Sequence, residues 1–132
     1  MAKESGITMT VSVDDSGGVL RDISNDITSL DWDTPRGVQE VTGLDQAAVE
    51  RLQLLADFSS TLNGIFNDAA NMSHDVFKTV SSTSVARTHT FAVSGQTLSN
   101  EALCNGYALT RAASGELTWS VPSTLSDDTA PT

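Results

Sequence analysis

The stretch VQEVTGLDQAAVERLQLLADFSSTLNGIFN, from Val38 to Asn67, decides the fold because its periodicity changes twice along its length. Gly37 to Val41 reads as a short strand. Thr42-Gly43-Leu44-Asp45 then fits a capping box. In that reading the threonine accepts from a free first-turn amide and the aspartate sits near the positive helix end. Leu44, Ala48, Leu52 and Leu55 follow at helical spacing, so an amphipathic helix is expected over 43–56. From Asp57 to Asn67 strand character returns, with Phe58, Leu62, Ile65 and Phe66 set among Ser59, Ser60, Thr61 and Asn63.

Strand signals continue on both sides. Ile7, Met9, Val11 and Val13 alternate with Thr8, Thr10 and Ser12, the period of a half-buried strand. Asp14-Asp15-Ser16-Gly17-Gly18 supplies a turn, and Val19-Leu20 resumes as a second strand. In the next segment Asp22, Asp26, Asp31 and Asp33 punctuate Ile23, Ile27, Leu30 and Trp32. It reads as a strand near 27–32 within a long acidic excursion that Pro35 ends. Residues 73–80 read as a short second helix or a turn, with Ser73 as its cap. Ala86 to Val93 alternates and Ser94-Gly95 turns it. Leu98 to Ala112 is one bent strand or two, and Glu116 to Val121 a last strand ended by Pro122. Residues 1–5 and 123–132 are expected to be flexible arms on a single domain spanning 1–132. The fold class is mainly β with one good α-helix, in antiparallel sheets with one wetted face.

Composition narrows the function. The formal net charge is −10, and the seven basic residues are scattered with no two adjacent. Duplex binding needs clustered Lys and Arg to displace counterions from phosphates, so a nucleic-acid reader is excluded. An anionic membrane surface would repel the chain for the same reason. Aromatics make up only 5%, which implies a thin core and stability drawn from subunit contacts. Cys104 is the single cysteine, so no intrachain disulfide and no thiolate cluster is possible; it reads as an inert packing residue. The start, Met-Ala-Lys-Glu-Ser-Gly, lacks a basic segment followed by an apolar run, and no signal peptide or membrane span is expected.

Catalytic patterns are missing. His74 and His89 stand apart from other ligands at metal-binding spacing, and each reads as a surface or polar-network histidine. There is no G-x-S-x-G elbow and no S-x-x-K pair. Gly17-Gly18 leads into Val19-Leu20-Arg21 and not into a lysine opening a helix, so it is no phosphate loop. Asp14-Asp15-Ser16-Gly17 lacks the further acidic ligands of a calcium loop and reads as a hairpin turn. The acids from Asp22 to Asp33 have no tuned partner, and a solvated acidic loop explains them. No enzyme activity, metal or cofactor is expected.

Taken together, the chain resembles the major tail tube proteins of long-tailed bacteriophages. The resemblance is carried by Val38 to Asp45, the passage through Ala47, Val49, Arg51 and Leu52, and the S-x-x-L-x-G-x-F strand from Ser59 to Phe66. Gly106 to Leu109 and Gly115 to Pro122 resemble the family's final two strands, so it covers about residues 5–122. It implies a β-sandwich or barrel with a flanking helix, forming hexameric rings that stack into a tube around a shared inner barrel. Four strands from each of six subunits, at ~4.8 Å spacing and ~40° tilt, enclose a barrel of about 45–50 Å between backbones. Duplex DNA passes such a bore, and carboxylates lining it would repel phosphates and let DNA slide during ejection.

The candidate lumen acids are Glu40, Glu101 and Glu116, all expected on strands. Asp22, Asp26, Asp31, Trp32 and Asp33 are the candidate ring-stacking loop. The implied partners are further copies of the chain, a tape measure protein and tail terminator and tip proteins, within the virion tail after synthesis in the host cytoplasm. No inserted surface domain or sheath-binding face is visible, which points to a non-contractile tail. The rival readings are a head decoration or head–tail connector protein, and then a monomeric β-sandwich recognition module with Trp32 as its exposed aromatic.

Overall fold

The computed structural model describes residues 5–126. Ten strands and one short helix follow the chain: β1 (Thr10–Asp14), β2 (Leu20–Asp22), β3 (Ile27–Asp33), β4 (Arg36–Glu40), β5 (Arg51–Ala56), β6 (Ser59–Ile65), α1 (Ser73–Phe77), β7 (Arg87–Val93), β8 (Gln96–Cys104), β9 (Ala108–Arg111) and β10 (Leu117–Leu125). Eight of the strands form one antiparallel sheet ordered β2-β1-β7-β8-β10-β6-β3, with β9 also paired to β10. β4 and β5 pair only with each other.

Local chemistry sets the turns. Asp15 Oδ1 accepts from Gly17 N at 2.9 Å and Val19 N at 3.0 Å, closing the β1–β2 connection, and Gly18 takes φ +81°. Ser94 and Gly95, at φ 51° and 79°, form the two-residue turn between β7 and β8; two positive φ values match the strand twist. The expected strands at 19–20, 27–32, 37–41, 57–67 and 86–93 therefore have counterparts, and 98–112 resolves into two strands, β8 and β9; the strand expected from Ile7 begins only at Thr10, since Gly6–Thr8 form a 3-10 turn with Ile7 exposed.

The sheet curls so that β1 and β3, from opposite ends of the strand order, share one core. Val11, Val13, Ile23, Leu62, Trp119 and Val121 meet Val76 and Phe77 of α1 there, with Ile27, Leu30, Phe91 and Tyr107 packed around them. Trp119 anchors it: its ring lies 5.2 Å from Phe77, and its Nε1 donates to Ile65 O at 2.9 Å.

Four expectations are corrected. No helix spans 43–56; residues 51–56 are strand β5, and the single α-helix among the described residues is α1. Ser73 lies inside α1 and not at its cap, which is Met72; the Ser73 amide donates to Asp26 Oδ2 at 3.1 Å. Pro122 does not end the last strand, and residues 123–125 are no flexible arm, since β10 runs to Leu125 and Ser123 is buried. Proline is tolerated because β10 changes partners there. On one flank β9 pairs 117–120 and β8 pairs 123–125, so no ladder bond requires an amide at Pro122. The remainder of that expected arm, 127–132, and residues 1–4 lie outside the described residues. Finally, residues 22–33 are no loop. Asp22 ends β2, a 3-10 turn covers Ser24–Asp26, and β3 pairs with β6 from Ile27 to Asp33.

Candidate assembly interface

β3 and β6 pair from Ile27↔Gly64 to Asp33↔Ser59, and β4 and β5 continue the same antiparallel ladder from Arg36↔Ala56 to Glu40↔Arg51. Pro35 O accepts from Asp57 N at 2.9 Å, bridging the break between the two ladders. The passage 27–65 is therefore one long hairpin, bent at Pro35 and Asp57. Its proximal half belongs to the main sheet and its distal half, 36–56, stands clear of it.

The tip is locally closed. Thr42 Oγ1 accepts from Glu50 N at 2.8 Å, Val41 N donates to Glu50 O at 2.8 Å, and Gln46 Oε1 accepts from Gly43 N at 2.6 Å. The threonine expected to cap a helix thus ties the two ends of a loop together.

This distal half is apolar without a core of its own. Directly opposed residues share a face, so Val38 with Gln53 and Gln39 with Leu52 put an apolar residue on each face. Val38, Val49, Leu52 and Leu54 are exposed, and Leu55 retains 92% of its accessible surface. Leu44 at the tip is fully exposed. A two-stranded hairpin is marginal in water, and one with unpaired outer edges is a template for pairing with another chain. Burial of each such leucine is worth about 1.5–3 kcal/mol, so a covering surface has a large term to recover.

A concave surface lies on the main sheet. A cleft of about 510 Å³ opens where β1 and β3 approach each other, of mixed lining: Ile7, Met9, Val11, Ile27, Leu30 and Trp32 together with Ser24, Thr28 and Ser29. Ile7 at its rim is 90% exposed. The Trp32 ring sits 4.7 Å from both Phe58 and Phe91, which fixes it, while its buried Nε1 has no hydrogen-bond acceptor among the described residues.

The sequence-predicted residues fall in different places. Glu40 is exposed at the end of β4. Glu101 is half-buried on β8 and accepts from Thr88 Oγ1. Glu116 is exposed in the β9–β10 turn, not on a strand as expected. Nothing brings these three together within one subunit. Of the acids expected in a stacking loop, Asp22 is exposed, and Asp31 and Asp33 are exposed on β3. Asp26 is buried, with Oδ1 accepting from Asn67 Nδ2 at 3.0 Å and Oδ2 from the Ser73 amide, so it clamps the interior and reaches no neighbour. Trp32 is half-buried. Sequence reading missed the hairpin itself; its one local signal was the abundance of leucine in a segment with no apolar partner of matching length.

The buried polar groups are structural in their contacts. Arg87 donates to Val76 O at 2.6 Å, Asp14 O at 3.2 Å and Thr79 Oγ1 at 3.0 Å, tying β1, β7 and α1 together. His89 Nε2 lies 3.6 Å from Cys104 Sγ. Burial, reinforced by the Arg87 charge, lowers His89 to about 4, and burial raises the Cys104 thiol although Ser123 opposes it. A neutral imidazole beside a protonated thiol is a poor nucleophilic pair. His74 Nδ1 is 3.1 Å from the Tyr107 hydroxyl. Among the described residues no three His, Cys, Asp or Glu side chains group as metal ligands, and no helix is long and apolar enough to cross a membrane.

No family profile and no curated protein matches the chain. Solved structures do. A chain of the virion of a native gene transfer agent particle superposes with a TM-score of 0.79 at 12% identity, over 98% of this chain and 99% of that one. A chain of the tail of an empty gene transfer agent particle, computed with helical refinement in C6 symmetry, gives 0.72 at 13% identity over the same shares. The fold is that of gene transfer agent virion and tail chains. It bears out the tail tube resemblance at the level of architecture, with the hairpin where a helix was expected.

Proposed function

We propose that this chain is a self-assembling structural subunit of a phage-like tail, forming hexameric rings that stack into a hollow tube for DNA. The observation that carries the reading is the hairpin at 36–56, apolar on both faces and uncovered by its own subunit. A monomer gains nothing from such a limb, whereas a polymer buries it at every contact. The near-complete overlap with a chain from a tail refined in C6 symmetry supports the same reading.

In the tube, acids facing the bore would keep DNA sliding. Glu40 and Glu116 are exposed and available for that role, while Glu101 is engaged by Thr88. Asp22, Asp31 and Asp33 are the exposed acids of the segment proposed to meet the next ring. Tape measure, terminator and tip proteins would complete a virion tail that this reading leaves without a sheath.

Negative-stain microscopy of the purified chain, with its mass in solution, tests the proposal. Rings or tubes with a central channel a few nanometres wide are expected. A monomer or trimer that never polymerises, even at high concentration, would overturn it in favour of a head decoration protein.

A further inference from the structure

We propose that Asn105 modifies itself: the Gly106 amide captures its side chain and leaves isoaspartate or aspartate in the β8–β9 connection. The same dipeptide at Asn63-Gly64 is held inert by the sheet. The inference stands apart from the assembly reading above.

Six asparagines occur in the chain, and only Asn63 and Asn105 precede glycine. The reaction is intramolecular. The backbone nitrogen of the following residue gives up its proton and attacks the asparagine Cγ, forming an N–Cγ bond. The Cγ–Nδ2 bond breaks, and ammonia leaves with that proton. Water then opens the five-membered imide at either carbonyl, giving aspartate on one side and isoaspartate, whose main chain runs through Cβ, on the other. No oxidant, reductant or second protein takes part. The attacking nitrogen must come within about 3–3.5 Å of Cγ. A side chain on the following residue obstructs that approach, and glycine has none.

The fold separates the two sites. Asn63 sits inside β6, paired with Ser29 on one flank and Ser120 on the other, and Gly64 pairs with Ile27 and Trp119. Asn63 Nδ2 also donates to Ser29 Oγ at 3.0 Å. Turning Asn63 about its Cα–C bond to bring Gly64 N onto Cγ would break both ladders, and Gly64 is packed against the Trp119 ring. Asn105, by contrast, is exposed and lies outside any strand. Its own amide donates to Pro122 O at 2.8 Å, but the turn that is needed lies on the other side of Cα. The Gly106 amide makes no hydrogen bond among the described residues, and the space around Gly106 is open. Among those residues the Asn105 carboxamide has one hydrogen bond, a long one from Thr124 Oγ1 to Oδ1 at 3.4 Å. That donor meets the oxygen on which negative charge develops as Gly106 attacks, so it assists the step. The product adds a carboxylate to a chain already at −10.

The test incubates the full chain for days at mildly alkaline pH, once folded and once in urea, then digests it with trypsin for mass spectrometry. Asn63 and Asn105 fall on different peptides, 52–78 and 88–111, and fragmentation places each exchange of amide for acid. In the folded chain Asn105 is expected to convert at least about tenfold faster than Asn63, because reaction at Asn63 waits on opening of the sheet. In urea the two should convert within about twofold of each other, once the fold no longer distinguishes them. Gly106→Ala supplies a second readout. An added Cβ meets nothing within 4 Å there, and the Gly106 φ lies outside the left-handed region, so the variant should keep the parent's denaturation midpoint. It should slow conversion of Asn105 by at least about tenfold through the obstructed approach. Equal rates at the two asparagines in the folded chain would overturn the proposal. So would an Asn105 that stays intact while the urea-treated chain converts, or an unchanged rate in Gly106→Ala.

Discussion

Gly64 lies under the Trp119 indole so closely that a Cβ built there would sit 2.5 Å from Cζ2 and nearer still to the Asp26 carbonyl oxygen. Both neighbours are rigid, one a packed ring that donates to Ile65 O and the other backbone. Gly64→Ala is therefore expected to lower stability by about 2–4 kcal/mol, read as a shift in urea midpoint at unchanged slope. A loss below ~0.5 kcal/mol would mean that the strand yields more easily than this packing implies. The glycine was legible in the S-x-x-L-x-G-x-F strand, whereas the buried Asp26 was not, because burial of one aspartate among four leaves no mark in sequence. His89 makes a second residue-scale case. Its folded value of about 4 lies below the ordinary 6.5, so the fold binds fewer protons than the unfolded chain between those values. The stabilisation is complete above pH ~6.5 and is lost as pH falls towards ~4, to an extent of about 3 kcal/mol. His89→Leu should flatten the stability profile over that window, measured by denaturant melts at stepped pH. A slope as steep as in the parent chain would locate the titration elsewhere.

At the scale of elements, the segment 43–56 shows how a genuine local pattern can lose. Leu44, Ala48, Leu52 and Leu55 do repeat at helical spacing, and Thr42 is a good cap. A helix presenting that stripe would need a core to cover it, yet the chain leaves Leu44 and Leu55 in solvent. Pairing decides instead. β4 and β5 extend a ladder already begun by β3 and β6, so each added pair propagates the strand at little further loop-closure entropy. The strand at 10–14 was legible because its apolar residues, Val11 and Val13, are buried within the same subunit. The hairpin's cover lies outside the chain in the assembly reading, and a single sequence carries no direct trace of it. A protease experiment follows from this. In dispersed subunits trypsin should cut first after Arg51 or Arg36, on a limb held only by its own ladder. In assembled particles those cuts should slow by at least about tenfold, as the population open to the protease falls. Equal rates in both states would show the hairpin uncovered in the particle.

The whole molecule sets two opposing terms against each other. Each chain carries a net charge of −10, and the proposed ring would bring several such charges together. Screening is weak at ~0.01 M salt, where the Debye length is about 30 Å, and strong at ~0.3 M. In the assembly reading the apolar hairpin favours contact at either concentration, so repulsion is the main term that sets how much protein is needed before rings form. The critical concentration should therefore fall by about tenfold or more between ~0.01 and ~0.3 M sodium chloride, measured by sedimentation of assembled material. An interface held by ion pairs would behave in the opposite sense and dissolve as salt rises. Salt also strengthens apolar association to a lesser degree, and a charge variant separates the two effects. Asp31→Asn with Asp33→Asn removes two exposed acids from β3 without touching the buried clamp at Asp26. That variant should assemble more readily than the parent chain at low salt and equally well at high salt. A variant that assembles no better at low salt would place those acids far from any neighbour, and would take the segment from Asp22 to Asp33 out of the contacts between subunits.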